Sequence, residues 1–292
     1  MAKRPTDHGP HGVAVIDKPS GWTSHDVVAK ARGVLGTRKV GHSGTLDPDA
    51  TGVLVLGVGR ATRLLRFLTE LPKSYVGEIV LGVETTTLDA AGDVTATHDM
   101  RGVVVDDVER AAAALTGDLL QVPPMVSAIK IGGRRLHELA RAGKEVERPP
   151  RPVRVDRFTV ESTSEPGVYR CAVDCSSGTY VRSLAADLGQ ALGGGAHLRA
   201  LRRTAVGGFD LGDAKPLESP VLLPVAAAVA HLESVSVDGG LAVAVGHGRV
   251  LTATDLEFPG SGPWAVFDDE DTLLAVYEPH RLGAKPAVVI PR

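Results

Sequence analysis

The chain has 292 residues and a mass of 30.4 kDa, with 43% hydrophobic and 23% charged residues. This length is sufficient for a buried core, so it excludes a disulfide-stabilised miniprotein and predicts one large domain or two unequal ones. The longest apolar stretch, residues 221–232, is too short for a membrane helix of roughly 18 residues, and no apolar signal-peptide region follows Lys3 and Arg4. We therefore expect a cytoplasmic protein. Its cysteines, Cys171 and Cys175, lack a second Cys/His pair and are expected to be reduced thiols rather than zinc ligands.

The net charge of −3 is unevenly distributed along the chain. Residues 206–292 carry 5 basic and 12 acidic side chains, a charge of −7, which leaves +4 on the residues before them. Residues 130–157 carry nine basic and four acidic side chains (+5), whereas residues 84–118 carry two basic and eight acidic ones (−6). The basic segment is therefore either a contact for a polyanion or an ordinary solvated surface.

Helices and strands follow one another irregularly. Thr23 and Asp26 have the spacing of a helix cap before DVVAKARGVL, a predicted helix that stops at Gly36. Further helices are predicted at 106–115, 136–142 and 181–192, and Val-rich runs predict strands at 13–16, 53–58, 75–83, 153–160, 169–173 and 264–267. Because these elements lack a regular βαβ alternation, we predict a mixed α+β fold, with a domain boundary in the Pro- and Gly-rich segment 207–224.

The densest motif is the loop GHSGTLDPDATG at residues 41–52. It is not a nucleophile elbow, because Thr45 stands where G-x-S-x-G needs its second glycine, and Val58 occupies the position of the calcium-binding Glu of an EF-hand. DPDAT resembles the DxDxT of haloacid-dehalogenase-type phosphotransferases, although the preceding SGTL is a poor buried strand. Asp47 remains as an isolated carboxylate, suited to covalent or electrostatic catalysis or to capping its own turn.

Six blocks, in the same order over about residues 11–210, resemble the bacterial TruB-type tRNA pseudouridine-55 synthases. They are GVAVIDKPSGWTSHDVV, KVGHSGTLDPDATGVLVLGVGRATRL, KSYVGEIVLGVETTTLDAAG, VPPMVSAIKIGGRRLHELARAGKEVER, CSSGTYVRSLAADLG and HLRALRRTAVGGF. The resemblance implies a pseudouridine-synthase-like mixed, mainly antiparallel sheet with flanking helices and an inserted RNA-binding thumb. We therefore predict a catalytic domain over 1–215, with the thumb at about 123–152. A small PUA-like β domain is predicted over 216–292, where WAVFDDEDTLLAVYE reads as two strands joined by an acidic turn.

The resemblance also implies the chemistry. The protein is expected to isomerise uridine 55 in the T-loop of tRNA to pseudouridine by flipping the nucleotide, breaking its glycosidic bond and reattaching the base through C5. One catalytic aspartate, Asp47, is implied. No cofactor or metal is expected, the expected partner is the tRNA T-arm, and the expected oligomeric state is a monomer. A metal-dependent phosphotransferase and a non-catalytic RNA-binding protein remain alternatives.

Two further residues take part in this implied chemistry. Arg182 in GTYVR matches the arginine that pairs with the catalytic aspartate, which a guanidinium would keep ionised and oriented. Tyr75 in KSY matches the tyrosine that stacks on the target base, and its hydroxyl is a candidate for removing the proton from C5.

The remaining pocket residues are also assigned by resemblance. His42 fills the space left by the flipped base or contacts the loop, and Lys18 with Pro19 braces the pocket. Tyr180 and Leu201 line its wall.

The basic segment coincides with the implied thumb. Arg202 and Arg203, outside it, are either phosphate contacts or surface charges. Gly132 and Gly133 would make the thumb mobile. His137 departs from the family's more usual Tyr, which puts aromatic stacking by that side chain in doubt but not the role of the charged residues. The residues expected to bind T-arm phosphates are Lys130, Arg134, Arg135, Arg141, Lys144 and Arg148.

Overall fold

A computed structural model of the protein describes residues 9–127, 130–131, 134–135, 146–281 and 283–291. The chain divides into two compact units. One consists of Met1–Pro48, Gly52–Glu70 and Gly207–Arg292, and the other of Asp49–Thr51 and Leu71–Val206. The second unit ends where the predicted boundary segment 207–224 begins. The division into domains at residue 215 stays a prediction.

The first unit begins with a small antiparallel sheet covered by a helix. β1 (Gly12–Lys18) and β2 (Val40–His42) each pair with β3 (Thr51–Val58), and α1 (Ser24–Val34) packs on them through an apolar core. β1 and β3 are almost entirely buried, which explains their continuous runs of Val, Ile and Leu.

The start of α1 confirms the predicted cap. The Thr23 hydroxyl accepts a hydrogen bond from the Asp26 N–H at 3.0 Å, and the Asp26 carboxylate accepts one from the Thr23 N–H at 2.9 Å. The helix ends at Val34, just before Gly36, whose φ of +62° favours glycine.

Residues after 206 return to β1. Leu223 and Val13 exchange two backbone hydrogen bonds, of 3.0 and 2.8 Å, and Lys215 bonds to the backbone of Val15 and Asp17. The short helix α2 (Leu65–Thr69) follows a 3₁₀ turn over Gly59–Leu64.

The second unit is an antiparallel sheet with helices on one face. Its strands are hydrogen-bonded in the order β12, β4, β11, β10, β7. The apolar core between sheet and helices includes Ile79, Val108, Val173 and Leu184. In chain order its elements are β4 (Lys73–Leu81), β5 (Val83–Thr85), β6 (Val94–Thr97), α3 (Val105–Ala114), β7 (Gly117–Gln121), β8 (Lys130–Ile131), β9 (Arg134–Arg135), β10 (Arg151–Ser162), β11 (Val168–Cys175), α4 (Val181–Ala191) and β12 (Ala196–Val206).

The C-terminal part of the first unit is a five-stranded sheet with its own core. The hydrogen-bonded order is β14, β16, β17, β18, β15, and Trp264, Val266 and Tyr277 are among its buried residues. β16 and β17 pair antiparallel across the acidic turn, as predicted. The elements are β13 (Phe209–Asp210), a 3₁₀ turn (Val225–Val229), β14 (Glu233–Ser236), α5 (Gly239–Gly246), β15 (Leu251–Thr252), β16 (Trp264–Phe267), β17 (Leu273–His280) and β18 (Gly283–Val289).

These elements confirm the predicted α+β class, with mostly antiparallel sheets and a C-terminal β domain. The predicted helix at 136–142 lies outside the described residues. Sequence analysis missed β12, the longest strand after β10. Within the part of the chain that the structure describes, none of the helices has the length and hydrophobicity to cross a membrane.

Candidate active site

Asp47 lies in the irregular loop between β2 and β3, and the residue before it is held by a buried hydroxyl. Ser24, in the first turn of α1, is 1% exposed. Its Oγ donates to the Leu46 carbonyl at 3.2 Å and accepts from the Leu46 N–H at 2.9 Å. One side chain therefore fixes both backbone polar groups of the residue that precedes Asp47.

The residue after Asp47 is held by a buried lysine. Lys18, at the end of β1, is fully buried, and its ammonium donates to the Pro48 carbonyl at 2.8 Å and to the Pro19 carbonyl at 2.9 Å. The Gly21 N–H also donates to Pro48, at 3.0 Å. The loop backbone is thus fixed on both sides of the half-buried Asp47, which places its carboxylate without a large entropic cost at the moment of reaction.

His42 ends β2, four residues before Leu46 in the same loop. Its Nδ1 accepts a hydrogen bond from the Gly44 N–H at 3.3 Å, which assigns the proton of a neutral ring to Nε2. The ring meets His25 edge to face, with centroids 5.3 Å apart and planes at 82°. His42 is therefore oriented by α1 as well as by its own loop.

Arg182, in the second unit, is 4% exposed at the start of α4. Its Nη1 donates to the Thr87 carbonyl at 3.0 Å and lies 3.2 Å from Asp89 Oδ2. Its Nη2 donates to the Val126 carbonyl at 2.9 Å. A buried guanidinium with these acceptors has a fixed orientation.

Tyr75 and Leu201 lie on the face of the sheet that the helices cover, and both pack against its core. Leu201 pairs with Gly77, and Arg203 pairs with Tyr75. A Cβ at Gly77 would lie 2.6 Å from the Ala200 carbonyl, so only glycine allows β12 to approach here. The two predicted pocket residues on β4 and β12 therefore share one face of the sheet.

Of the two arginines that follow Leu201, Arg203 differs from the prediction. Arg203 is 1% exposed, so its interpretation as a surface charge is wrong. The physical reason is its register opposite Tyr75, which directs it to the covered face. Arg202 is half-buried, and its Nη1 donates to Thr51 Oγ1 at 3.3 Å.

The predicted site residues come from both units. Asp47, His42 and Lys18 belong to the first unit, whereas Arg182 and Tyr75 belong to the second, as do Tyr180 and Leu201. The pairing of Arg182 with Asp47, and a shared pocket, therefore stay predictions.

Of the predicted phosphate-binding residues, Lys130, Arg134 and Arg135 lie on β8 and β9. Arg148 is half-buried and donates through Nη1 to the Pro123 carbonyl at 3.1 Å. Phosphate binding by these residues stays a prediction. The other positions discussed for the thumb lie outside the described residues, namely Gly132, Gly133, His137, Arg141 and Lys144.

The two cysteines are buried free thiols on β11, as predicted. Burial raises the pKa of Cys171 to about 12 and that of Cys175 to about 11. Such thiols are poor nucleophiles. Among the described residues, no three His, Cys, Asp or Glu side chains cluster as metal ligands.

Comparison with known proteins identifies the family. Residues 32–181 match the N-terminal domain model of the TruB family pseudouridylate synthases, and residues 182–229 match the C-terminal domain model of tRNA pseudouridylate synthase B. The tRNA pseudouridine synthase B of Streptomyces coelicolor is 47% identical over 293 residues, covering 96% of this chain and 97% of that protein. The chain belongs to the TruB family of pseudouridylate synthases.

Other relatives agree with this TruB assignment. The tRNA pseudouridine synthase B of Mycolicibacterium paratuberculosis is 45% identical over 292 residues, covering 96% of this chain and 98% of that protein. A chain in the crystal structure of a Cbf5–Nop10–Gar1 complex is 27% identical, with a TM-score of 0.73 over 96% of this chain and 85% of that chain. The resemblance read from the sequence is confirmed, and so is the mixed, mainly antiparallel fold with a C-terminal β domain. The inserted thumb and the PUA-like character of the C-terminal domain stay predictions.

Three polar residues of this TruB-family site were missed by sequence analysis. Ser24 lies one residue after the predicted helix cap, Asp89 ends the run TTTLD, and Gln121 precedes VPP. Asp89 and Ser24 stand inside two of the matched blocks and Gln121 directly adjoins a third. Their positions in or next to these motifs were the only sequence feature that pointed to a role in the site. Their hydrogen-bond partners could not be predicted, because most of them are distant in the sequence.

Proposed function

We propose that this chain isomerises uridine 55 in the T-loop of tRNA to pseudouridine, with Asp47 as its catalytic carboxylate. The observation that carries the proposal is the support of the Asp47 loop by Ser24 on one side and Lys18 on the other. A carboxylate fixed in this way suits attack on a nucleotide, because little motion separates its resting and reacting positions. The relatives named tRNA pseudouridine synthase B support tRNA as the substrate.

The proposed reaction is an isomerisation, so the product contains the same atoms as the uridine. The bond between C1′ and N1 breaks, a bond between C1′ and C5 forms, one proton leaves C5 and N1 gains one. Asp47 attacks the nucleotide, and the bond that it forms breaks again before the product leaves, so that the carboxylate is regenerated. Arg182 keeps Asp47 ionised through charge-assisted hydrogen bonds. The Tyr75 ring stacks on the base, and its hydroxyl oxygen takes up the proton from C5 as it releases its own proton to solvent.

The substrate geometry requires base flipping, because both bonds lie inside a folded RNA loop. Unstacking the uridine costs a few kcal/mol, which the pocket offsets through Tyr75 and the wall residues Tyr180 and Leu201. His42 fills the space left by the flipped base or contacts the loop. The net charge of +5 over residues 130–157 supplies the phosphate contacts to the T-arm. In this proposal the enzyme acts as a cytoplasmic monomer without a metal ion.

The test is incubation of unmodified tRNA with the protein in excess EDTA, followed by mapping of pseudouridine at nucleotide resolution. We expect pseudouridine at position 55, and none in a tRNA in which that uridine is replaced by cytidine. Pseudouridine formed in excess EDTA would exclude the phosphotransferase alternative, because phosphoryl transfer on an aspartate needs Mg²⁺. Tight tRNA binding with unchanged uridine would favour a non-catalytic RNA-binding protein and contradict the proposal.

A further inference from the structure

The side chain of Gln121 forms a pair of hydrogen bonds with the backbone of Tyr180. Its Nε2 donates to the Tyr180 carbonyl at 3.1 Å, and its Oε1 accepts from the Tyr180 N–H at 2.7 Å. Gln121 is 4% exposed, so these bonds form in a desolvated site, where leaving either partner unpaired is costly. The Gln121 amide thus forms the same pair of hydrogen bonds with the Tyr180 backbone that a neighbouring β-strand would form.

Gln121 is the last residue of β7, and the segment after it follows the same helix end. The Val122 carbonyl accepts a bond from Ser183 Oγ at 3.4 Å, and the Val126 carbonyl accepts one from Arg182 Nη2 at 2.9 Å. Residues 121–126 are therefore tied to Tyr180, Arg182 and Ser183 by side chain-to-backbone contacts. This segment leads directly into the basic segment 130–157.

The same helix end carries two residues of the proposed pocket. Tyr180 is the N-cap residue of α4, with an extended backbone and no capping bond from its own side chain. Gln121 holds this residue through its N–H and carbonyl groups. Arg182, two residues later, also contacts the Thr87 carbonyl and Asp89. The position of the first turn of α4 therefore determines the positions of the Tyr180 and Arg182 side chains.

We propose that Gln121 is a positioning residue for the isomerisation. It fixes the first turn of α4 to the root of the basic segment, so that Tyr180 and Arg182 are in place when that segment binds RNA. Gln121 touches no reacting atom in this scheme, and it acts through Tyr180. The inference rests on the proposed function, because it assigns Gln121 a part in that reaction.

Two substitutions separate this role from simple support of the fold. Gln121→Met keeps the length and shape of the side chain and removes both hydrogen bonds. Gln121→Glu restores the pair only when its carboxyl group is protonated, because the acid then donates to the Tyr180 carbonyl and accepts from its N–H. Burial favours this neutral form. The matched control is Gln190→Glu, at an exposed position of the same helix.

The measurement is the single-turnover rate constant on tRNA with enzyme in excess, together with the Kd for tRNA, at several pH values from 6 to 8. We expect Gln121→Met to lower the rate constant by about tenfold or more at every pH, since a misplacement of order 1 Å costs up to about 10²-fold. Its Kd should stay within about threefold. Gln121→Glu should approach the wild-type rate as the pH falls, and Gln190→Glu should match the wild type throughout.

Two results would overturn the inference while the wild type is active. One is a folded Gln121→Met variant with the wild-type rate constant. The other is a Gln121→Glu variant whose rate relative to the wild type is the same at every pH, which remains decisive if the Met variant fails to fold. Failure of the proposed function itself is distinguishable, because the wild type would then form no pseudouridine.

Discussion

Arg182 and Asp89 form an ion pair in the second unit, with 3.2 Å between Nη1 and Oδ2. The arginine side chain is 4% exposed and that of Asp89 22%. The second oxygen of Asp89 accepts bonds from Thr87 Oγ1 at 2.5 Å and from the Ala91 N–H at 3.1 Å. An acidic residue outside the conspicuous Asp47 loop therefore orients the arginine expected to act in catalysis.

Asp89→Asn is expected to lower the single-turnover rate constant by about 10- to 100-fold while Kd for tRNA changes little. The neutral amide no longer balances the positive charge of the buried Arg182 guanidinium, so the guanidinium is expected to shift. Small displacements of a catalytic group change rates by this order. The control is Asp93→Asn, an exposed residue of the same turn, which should leave the rate unchanged. An equal, small effect of both variants would mean that Asp89 does not orient Arg182.

Ser24→Ala and Thr23→Ala separate support of the Asp47 loop from support of α1. Removing the Ser24 hydroxyl leaves two buried polar groups of Leu46 unpaired, which costs about 1–3 kcal/mol of unfolding free energy. Removing the Thr23 cap costs about 1 kcal/mol.

Denaturant unfolding and single-turnover rates should be measured for both variants. We expect both to be destabilised, but only Ser24→Ala to react more slowly, by about tenfold or more. If their rates fall together in proportion to their stability, the hydroxyl has no particular role in placing Asp47.

Stability should decrease at high pH because of Cys171 and Cys175. Burial raises their pKa values to about 12 and about 11, above the unfolded value of 9.0. The thiols stay protonated in the folded state while the unfolded chain loses protons, so the stabilisation is complete below pH 9 and is lost as the pH rises towards 12.

The corresponding measurement is chemical denaturation of the wild type and of Cys171→Ala with Cys175→Ala between pH 8 and 10.5. The double variant should show a weaker loss of stability above pH 9. In the native wild type at pH 8, both thiols should resist a thiol reagent and react only after denaturation. Rapid labelling of the folded protein would contradict their burial.

Sequence patterns predicted an element correctly where all the residues that determine it are close together in the sequence. The cap, the apolar spacing and the terminal glycine of α1 all lie between Thr23 and Gly36, so its limits followed from the sequence. β12 was missed because AHLRALRRTAV contains three arginines and helix-favouring Ala and Leu. Its extended form is imposed by pairing with β4, a distant segment that no local pattern reveals.

The same distinction holds for the candidate site. Asp47 stands out because its motif is continuous in sequence. Its supports do not, since Ser24 contacts a residue 22 positions away and Gln121 contacts one 59 positions away. Such contacts arise only when elements pack, and the residues that make them are ordinary polar residues in the printed sequence.

Truncation tests how far the residues after β12 stabilise the sheet that contains β1. A chain that ends at Leu217 loses both hydrogen bonds between Leu223 and Val13, and also the buried Ala228 and Val229. A chain that ends at Leu232 keeps them. We expect the shorter chain to be less stable by about 2 kcal/mol or more, from lost hydrogen bonds and apolar burial. Equal unfolding curves for the two truncated chains would show that residues 218–232 do not stabilise the sheet that contains β1.

The most direct test of the account compares Asp47→Asn with Asp49→Asn, an exposed aspartate two residues along the same loop. Pseudouridine formed on unmodified tRNA is measured under single-turnover conditions, with Kd determined for both variants. We predict no detectable pseudouridine with Asp47→Asn, a wild-type rate with Asp49→Asn, and Kd within about threefold of the wild type for each, because the carboxylate supplies chemistry rather than affinity. Measurable turnover by Asp47→Asn would contradict the central claim.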